Sequence, residues 1–211
     1  ARLSLVPKEK ITYSEVVEPF QITEFFPHLM IGSSPNLYYL SKLSYPYNLN
    51  NIDFSSCFNL YSMSPSDKCG FTFSNPFLKN IKFYNLSKEA RRNIQYGINL
   101  ILDIALDSKK FNMAYSPGGI IPFQNKMNFK ENKRKFINKT LNKTLSSVHI
   151  FSSARIGSNK KLCPINPNGE VPKFKNAFVM DSSTIPSCPT VNPQSTAVLF
   201  SLNLVRRFLN S

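Results

Sequence analysis

The residues of this chain whose types and spacing suit chemistry lie in its last third. His149 sits in Val148-His149-Ile150-Phe151 and is followed by the small residues Ser152, Ser153 and Ala154, which let another group approach closely. An imidazole with an unperturbed pKa of about 6.5 can take up a proton near neutral pH. On spacing alone His149 reads either as such a base or as a packed structural histidine. Downstream, Ala177, Phe178, Val179 and Met180 form a β-rich run that ends on Asp181-Ser182-Ser183. Ligands of open α/β sheets bind beyond the carboxyl ends of strands, so this turn either faces a ligand or is simply capped by Asp181. Asn192-Pro193 then precedes an apolar helical pattern. Asn is a preferred N-cap, Pro is favoured at the first helical position, and a residue before Pro is pushed to extended backbone. The spacing therefore predicts a helix with Asn192 as its cap. The partial positive charge and free N–H groups of its first turn point at whatever precedes it. Pro193 cannot donate, which leaves Gln194 and Ser195 as donors.

Three stretches, taken in order, resemble the glucose-methanol-choline (GMC) flavoprotein oxidoreductases. His149-Ile-Phe-Ser-Ser-Ala-Arg-Ile-Gly157 is similar to the family's H-x-x-G-T-x-R-M-G, with Ser152 and Ser153 where the family has Gly and Thr. Asn176 to Pro186 resembles N-L-x-V-x-D-[AG]-S-x-[FI]-P, and the segment around Asn192-Pro-Gln-Ser-Thr196 resembles N-P-x-x-T before the last helix. The resemblance implies FAD as cofactor and oxidation of an alcohol CH-OH group, with His149 accepting the hydroxyl proton while hydride leaves carbon for the flavin. Asn192 would hydrogen-bond the same oxygen. Many family members carry a second histidine where this chain has Asn192, so His149 would be the lone base. Asp181 and Ser182 would lie against the cofactor. Asn192, Pro193, Gln194 and Ser195 would face the pyrimidine end of the flavin. A family member also needs a Rossmann unit whose G-x-G-x-x-G turn holds the FAD pyrophosphate. Gly32, Gly70, Gly97, Gly118, Gly119, Gly157 and Gly169 are the seven glycines here and build no such turn. The expected partner is therefore an N-terminal Rossmann FAD-binding half, on the same protein or on a separate subunit.

The elements that must position these residues set the expected fold class, α+β. An antiparallel sheet with helices on one face would form a substrate domain over residues 1–146. A C-terminal strand and helix over 147–211 would belong to a Rossmann-like FAD domain whose first half is absent. Alternating runs at Cys57–Tyr61, Gly70–Ser74 and Lys79–Tyr84, bounded by turn residues, predict an antiparallel meander. Ile11–Val17 and Phe20–Phe26 read as edge strands or irregular chain, interrupted by Pro19 and Pro27. Ala90, Ile94, Ile98, Ile101 and Ala105 recur at spacings of three and four behind Ser87, a helix with an N-cap and a buried stripe. The apolar last helix is expected to be buried. The lysine-rich stretch near 124–144 reads as a loop or lid. His28, in an apolar setting, reads as structural.

Composition bounds the alternatives. At 42% hydrophobic and 13% aromatic, 211 residues can bury a real core. No apolar run reaches the roughly 18 residues of a membrane span. The chain begins Ala1-Arg2 with no signal-like stretch, as expected of a trimmed piece. Four cysteines without a C-x-x-C pair favour reduced thiols and no metal site. A net charge of +14 is concentrated partly in Lys126, Lys130, Lys133, Arg134, Lys135, Lys139 and Lys143. No nucleic-acid motif accompanies it, and the expected role is a solvated face or a docking surface for an acidic partner. Two rival readings remain: a GMC-derived subunit without catalysis, and a basic α+β domain that binds an anionic polymer.

Overall fold

The computed structural model describes residues 1–9, 21–22, 29–34, 56–65, 70–75, 78–124, 129–145, 151–189 and 192–210. The chain divides into two compact units, one of residues 1–64 with 70–146 and one of residues 65–69 with 147–211.

In the first unit the helix predicted from periodicity forms as α1, Lys88–Ser108. Ser87 caps it, its hydroxyl oxygen accepting from Ala90 N at 3.1 Å. Such a cap contributes about 1 kcal/mol. Ala90, Ile94, Ile98, Ile101 and Ala105 are all buried, with Gly97 and Leu102 widening the stripe. The helix stops where Lys109 turns left-handed at φ 58°.

That stripe lies on a six-stranded antiparallel sheet. Its strands are β1 (Arg2–Pro7), β2 (Gln21–Ile22), β3 (Met30–Ser34), β4 (Phe58–Met63), β7 (Phe111–Ser116) and β8 (Gly119–Pro122), in the order β2-β3-β4-β1-β7-β8. Two further strands, β5 (Gly70–Asn75) and β6 (Leu78–Tyr84), pair only with each other in a second sheet. The expected single meander is thus corrected. Its three runs are strands, but β4 pairs with β1 and β3 rather than with β5. Alternation marks a strand and its buried face; it carries no information on the partner. Of Phe20–Phe26 the described part is β2, and Ile11–Val17 and His28 lie outside the described residues.

The register explains the core. Leu5 of β1 stands opposite Phe58 of β4 and Ala114 of β7, and Ala114 stands opposite Ile121 of β8. Leu3 stands opposite Leu60. Opposed residues share a face, and Leu3, Leu5, Ala114 and Ile121 belong to the cluster formed with Ile94, Ile98 and Ile101 of α1. On the other face Ser4, opposite Asn59, donates its hydroxyl to Asn59 Oδ1 at 2.5 Å.

The lysine-rich segment is not a loop. Residues Phe129–Thr144 form helix α2, packed on α1 and β8. Its buried stripe runs Phe129, Lys133, Phe136, Ile137, Thr140, Leu141, which is helical spacing. Two polar residues inside the stripe hid the pattern from a reading that counts only apolar positions. Lys133 is 8% exposed overall, its ammonium bonded to Asp103 Oδ1 at 2.5 Å and held 5.8 Å from the centroid of the Phe129 ring. Thr140 pairs with Ser116 of β7, Oγ to Oγ1, at 2.5 Å, and both are fully buried. No helix among the described residues is long and apolar enough to cross a membrane.

The Pro117-Gly118 turn between β7 and β8 lies directly against α2. A Cβ at Gly118 would meet Thr140 N at 2.3 Å and Lys139 C at 2.6 Å, both backbone atoms that cannot swing aside. Gly118→Ala is expected to lower stability by about 1–3 kcal/mol, the range for overpacking, measured by urea unfolding. Gly119→Ala meets open space and carries only the strain of its φ of 138°. It should cost less than Gly118→Ala, and the reverse order would contradict this packing.

Candidate functional site

The second unit contains little regular structure, and backbone hydrogen bonds do the positioning. Ala154 N donates to Ser183 O at 3.0 Å and Ile156 N to Thr184 O at 3.1 Å. The segment that follows His149 is therefore fastened along the 3-10 turn Ser182–Thr184. Asp181 caps that turn, its Oδ1 accepting from Ser183 N at 2.7 Å. Thr184, fully buried, donates its hydroxyl to Asp181 O at 2.7 Å. The carboxylate is exposed and its first task is local.

Ser152 explains part of the first stretch. Its φ is 60°, a left-handed conformation that costs a residue with a Cβ roughly 1–2 kcal/mol. Its hydroxyl donates to Ile185 O at 2.7 Å. The side chain thus gives back by a hydrogen bond part of what its backbone costs, and the position keeps a conformation natural to glycine.

Ala177–Met180, expected as a strand, makes one antiparallel bridge, Phe178 to Glu170. Val171 N donates to Ala177 O at 2.9 Å and Val179 N to Gly169 O at 2.8 Å around that bridge, and among the described residues the pairing goes no further. The last helix, α3, spans Gln194–Leu209. Its first bond runs from Ala197 N to Pro193 O at 2.8 Å, so Pro193 and not Asn192 is the cap residue. The expectation for Asn192 is corrected by one residue. Proline at the cap has no side-chain acceptor, so the start of α3 carries no side-chain cap bond. The backbone N–H groups of Gln194, Ser195 and Thr196 have no acceptor among the described residues, and all three residues are exposed. Asn192 is exposed, Pro193 is buried and Ser182 is half-buried.

The helix is not buried as its apolarity predicted. Leu204 is buried, whereas Leu199 is 67% exposed, Val198 53% and Leu209 74%. Phe208 meets Phe178 edge-on at 4.6 Å. The structure thus gathers Ser152, Asp181, Ser182 and the start of α3 into one unit. His149 lies outside the described residues, two positions before the first that is described, Phe151. The left-handed backbone at Ser152 was missed from residue types, although the exchange of Gly for Ser in the first stretch pointed to it.

The comparisons bear on the whole arrangement. The family model described as GMC oxidoreductase matches residues 76–201, more than half of the 211 residues. The chain belongs to the GMC oxidoreductase family. An uncharacterised GMC-type oxidoreductase of Sinorhizobium fredii is 33% identical over 66 residues, 31% of this chain and 13% of that protein. A long-chain-alcohol oxidase of Arabidopsis thaliana is 43% identical over 53 residues, 25% of this chain and 7% of its own length. A structure of Aspergillus oryzae RIB40 formate oxidase, concerned with FAD modification in that enzyme, superposes with a TM-score of 0.60 at 16% identity. It covers 86% of this chain and 31% of the oxidase. Pyridoxine 4-oxidase from Mesorbium loti gives a TM-score of 0.59 at 12% identity, over all of this chain and 42% of its own. The chain thus spans a minor part of the length of each relative. Its fold is the α+β fold of these family members.

Substitutions at Ser152 separate backbone from side chain. Ser152→Ala keeps the strain and loses the bond to Ile185 O. It should destabilise the protein by about 0.5–1.5 kcal/mol, the net worth of one hydrogen bond. Ser152→Gly loses the same bond and relieves the strain, so its stability in thermal unfolding should stay within about 1 kcal/mol of the parent and above that of the Ala variant. An Ala variant as stable as the Gly variant would show that the left-handed backbone matters little.

Proposed function

We propose that this chain forms the substrate domain and C-terminal segment of an FAD-dependent GMC oxidoreductase that oxidises an alcohol CH-OH group. The observation that carries the reading is the fastening of Ser152–Ile156 to the Ser182–Ile185 turn, with α3 packed on the same turn. By these bonds the described part of the first family-like stretch and the second form one local structure, on which the helix of the third packs. The long-chain-alcohol oxidase relative supports an alcohol as substrate.

The residues present fit a flavin. The first turn of α3 offers the N–H groups of Gln194, Ser195 and Thr196, and a helix start with unused N–H groups suits an anionic ring edge. Asp181 and Ser182 would contribute through the turn they build. FAD, when bound, supplies the acceptor for the hydride of the substrate. His149 takes the hydroxyl proton, neutral before the step and cationic after it. The Asn192 amide donates to the same oxygen and, unlike a second histidine, cannot share the proton. Ser152 in place of glycine keeps the left-handed turn, so the exchange speaks less for lost catalysis than its chemistry suggests.

A Rossmann-type part that holds the FAD pyrophosphate, on the same polypeptide or another, would cover the exposed apolar residues of α3. Val198, Leu199, Leu202 and Phe208 are between 44% and 67% exposed, an apolar surface of the kind that marks an interface.

In the flavin-loaded protein, His149→Ala should slow substrate-driven flavin reduction by at least about 10²-fold, the lower end of general-base contributions, followed by stopped-flow absorbance. Reduction within a few-fold of the parent would place the base elsewhere. Asn192→Asp should slow the same step by setting a carboxylate against the developing alkoxide, and undiminished reduction would argue against contact with the reacting oxygen.

The 211-residue polypeptide by itself should bind a hydrophobic dye and lose FAD on desalting. A Rossmann-bearing part should abolish both behaviours together. Tight FAD binding by the 211 residues alone would overturn this division of labour.

A further inference from the structure

Helices α1 and α2 of the first unit border an open groove of about 350 Å³. Arg92 of α1 and Lys130, Lys133 and Arg134 of α2 line it, with Tyr96 on the rim and Ile137 beneath. Ile137 is 3% exposed and Tyr96 54%, so the floor is apolar and the edge aromatic.

Cationic side chains on a helical surface are commonly balanced by carboxylates nearby. Asp103 pairs with one of the four, its Oδ1 bonded to Lys133 Nζ at 2.5 Å, while its Oδ2 accepts from Asn99 Nδ2 at 3.1 Å. Glu131 is bound to Lys135 at 2.6 Å, and that bond holds its carboxyl below the usual range. Among the described residues no carboxylate lies within ion-pair distance of Arg92, Lys130 or Arg134. Among the described residues, three full charges therefore face one groove without a paired carboxylate.

We propose that this groove docks an acidic polypeptide segment of a partner protein. The shape favours a peptide over a small phosphate compound. Small-molecule pockets bury most of their ligand, whereas this groove is open to solvent and half of its eight lining residues are Lys or Arg. Arg92 stands on α1, and Lys130, Lys133 and Arg134 stand on the first two turns of α2. Guanidinium groups on the two helices, Arg92 and Arg134, suit separate carboxylates in forked pairs. The apolar floor between them suits one aromatic or aliphatic side chain of the same segment. Nucleic acid would require a stripe of contacts along a groove or a base-reading element, and neither is present among the described residues.

The test uses the full-length holoprotein and a fluorescein-labelled peptide of glutamates around one central phenylalanine, read by fluorescence anisotropy. Binding is expected to weaken with added salt. Arg92→Glu with Arg134→Glu should weaken it by at least about tenfold, which is 1.4 kcal/mol. The exposed Lys160 and Lys161 of the other unit provide a control, since Lys160→Glu with Lys161→Glu makes the same change of charge. That pair should leave affinity within about twofold of the parent. Arg92→Gln with Arg134→Gln should give an intermediate loss and serves if the reversed pair fails to fold. Equal losses from the two reversed pairs would mean a general charge effect and overturn the proposal. So would unchanged binding in the Arg92/Arg134 variants, or displacement of the peptide by pyrophosphate or an oligonucleotide at lower concentration than by unlabelled peptide.

Discussion

Strand β1 is the constraint on which the first unit depends. It pairs on one edge with β4 and on the other with β7, strands that follow it by more than fifty and more than a hundred residues. Those pairings close long loops, and closure entropy grows slowly with length. The burial of Leu3 and Leu5 against Ile94, Ile98 and Ile101 offsets it. Each fully buried aliphatic side chain contributes about 1.5–3 kcal/mol. Helix α1 can lie close to the sheet because Gly97 faces Ser62, whose hydroxyl donates to the Ile94 carbonyl at 3.1 Å. A side chain at position 97 would meet that hydroxyl at 2.3 Å. Helix α2 then packs on α1 and β8, with the Ser116–Thr140 pair satisfying two hydroxyl groups that have no access to water.

The second unit follows a different logic. It buries few large apolar side chains, among them Ile165, Ile185 and Leu204, and relies on turns satisfied by their own residues. Asn166 is representative. Its Oδ1 accepts from Asn168 N and Glu170 N, and Gly169 beside it takes a φ of 87° that suits glycine. Ser152 and Asp181 do the same around the candidate site. Precision there comes from short backbone bonds rather than from packing, as expected of a segment whose apolar helix is left uncovered.

The exposed surfaces of the two units differ in kind. Helix α3 presents aliphatic and aromatic side chains, while the α1–α2 groove presents a cluster of positive charge. An apolar face suits a large, permanent partner such as the Rossmann-type part proposed above, because its exposure is costly at all times. A charged groove is well solvated when empty and suits an exchangeable one.

Periodicity and cap chemistry were enough to locate α1 and Ser87, because a helix is a local structure whose stripe and cap lie within one run of residues. The order of the three family-like stretches identified the family for the same reason: each is read from contiguous residues. Strands β4, β5 and β6 were visible as alternation, but their division between two sheets was not, since pairing joins residues far apart in sequence. Helix α2 stayed hidden because Lys133 and Thr140 occupy core positions that only Asp103 and Ser116, on other elements, make tolerable. The helical pattern after Asn192 was legible and its cap was displaced by one residue, a choice made by backbone dihedrals rather than by residue preference. Burial of α3 could not be read at all. Apolarity states that a helix needs a cover, and only the tertiary structure decides whether this chain supplies one.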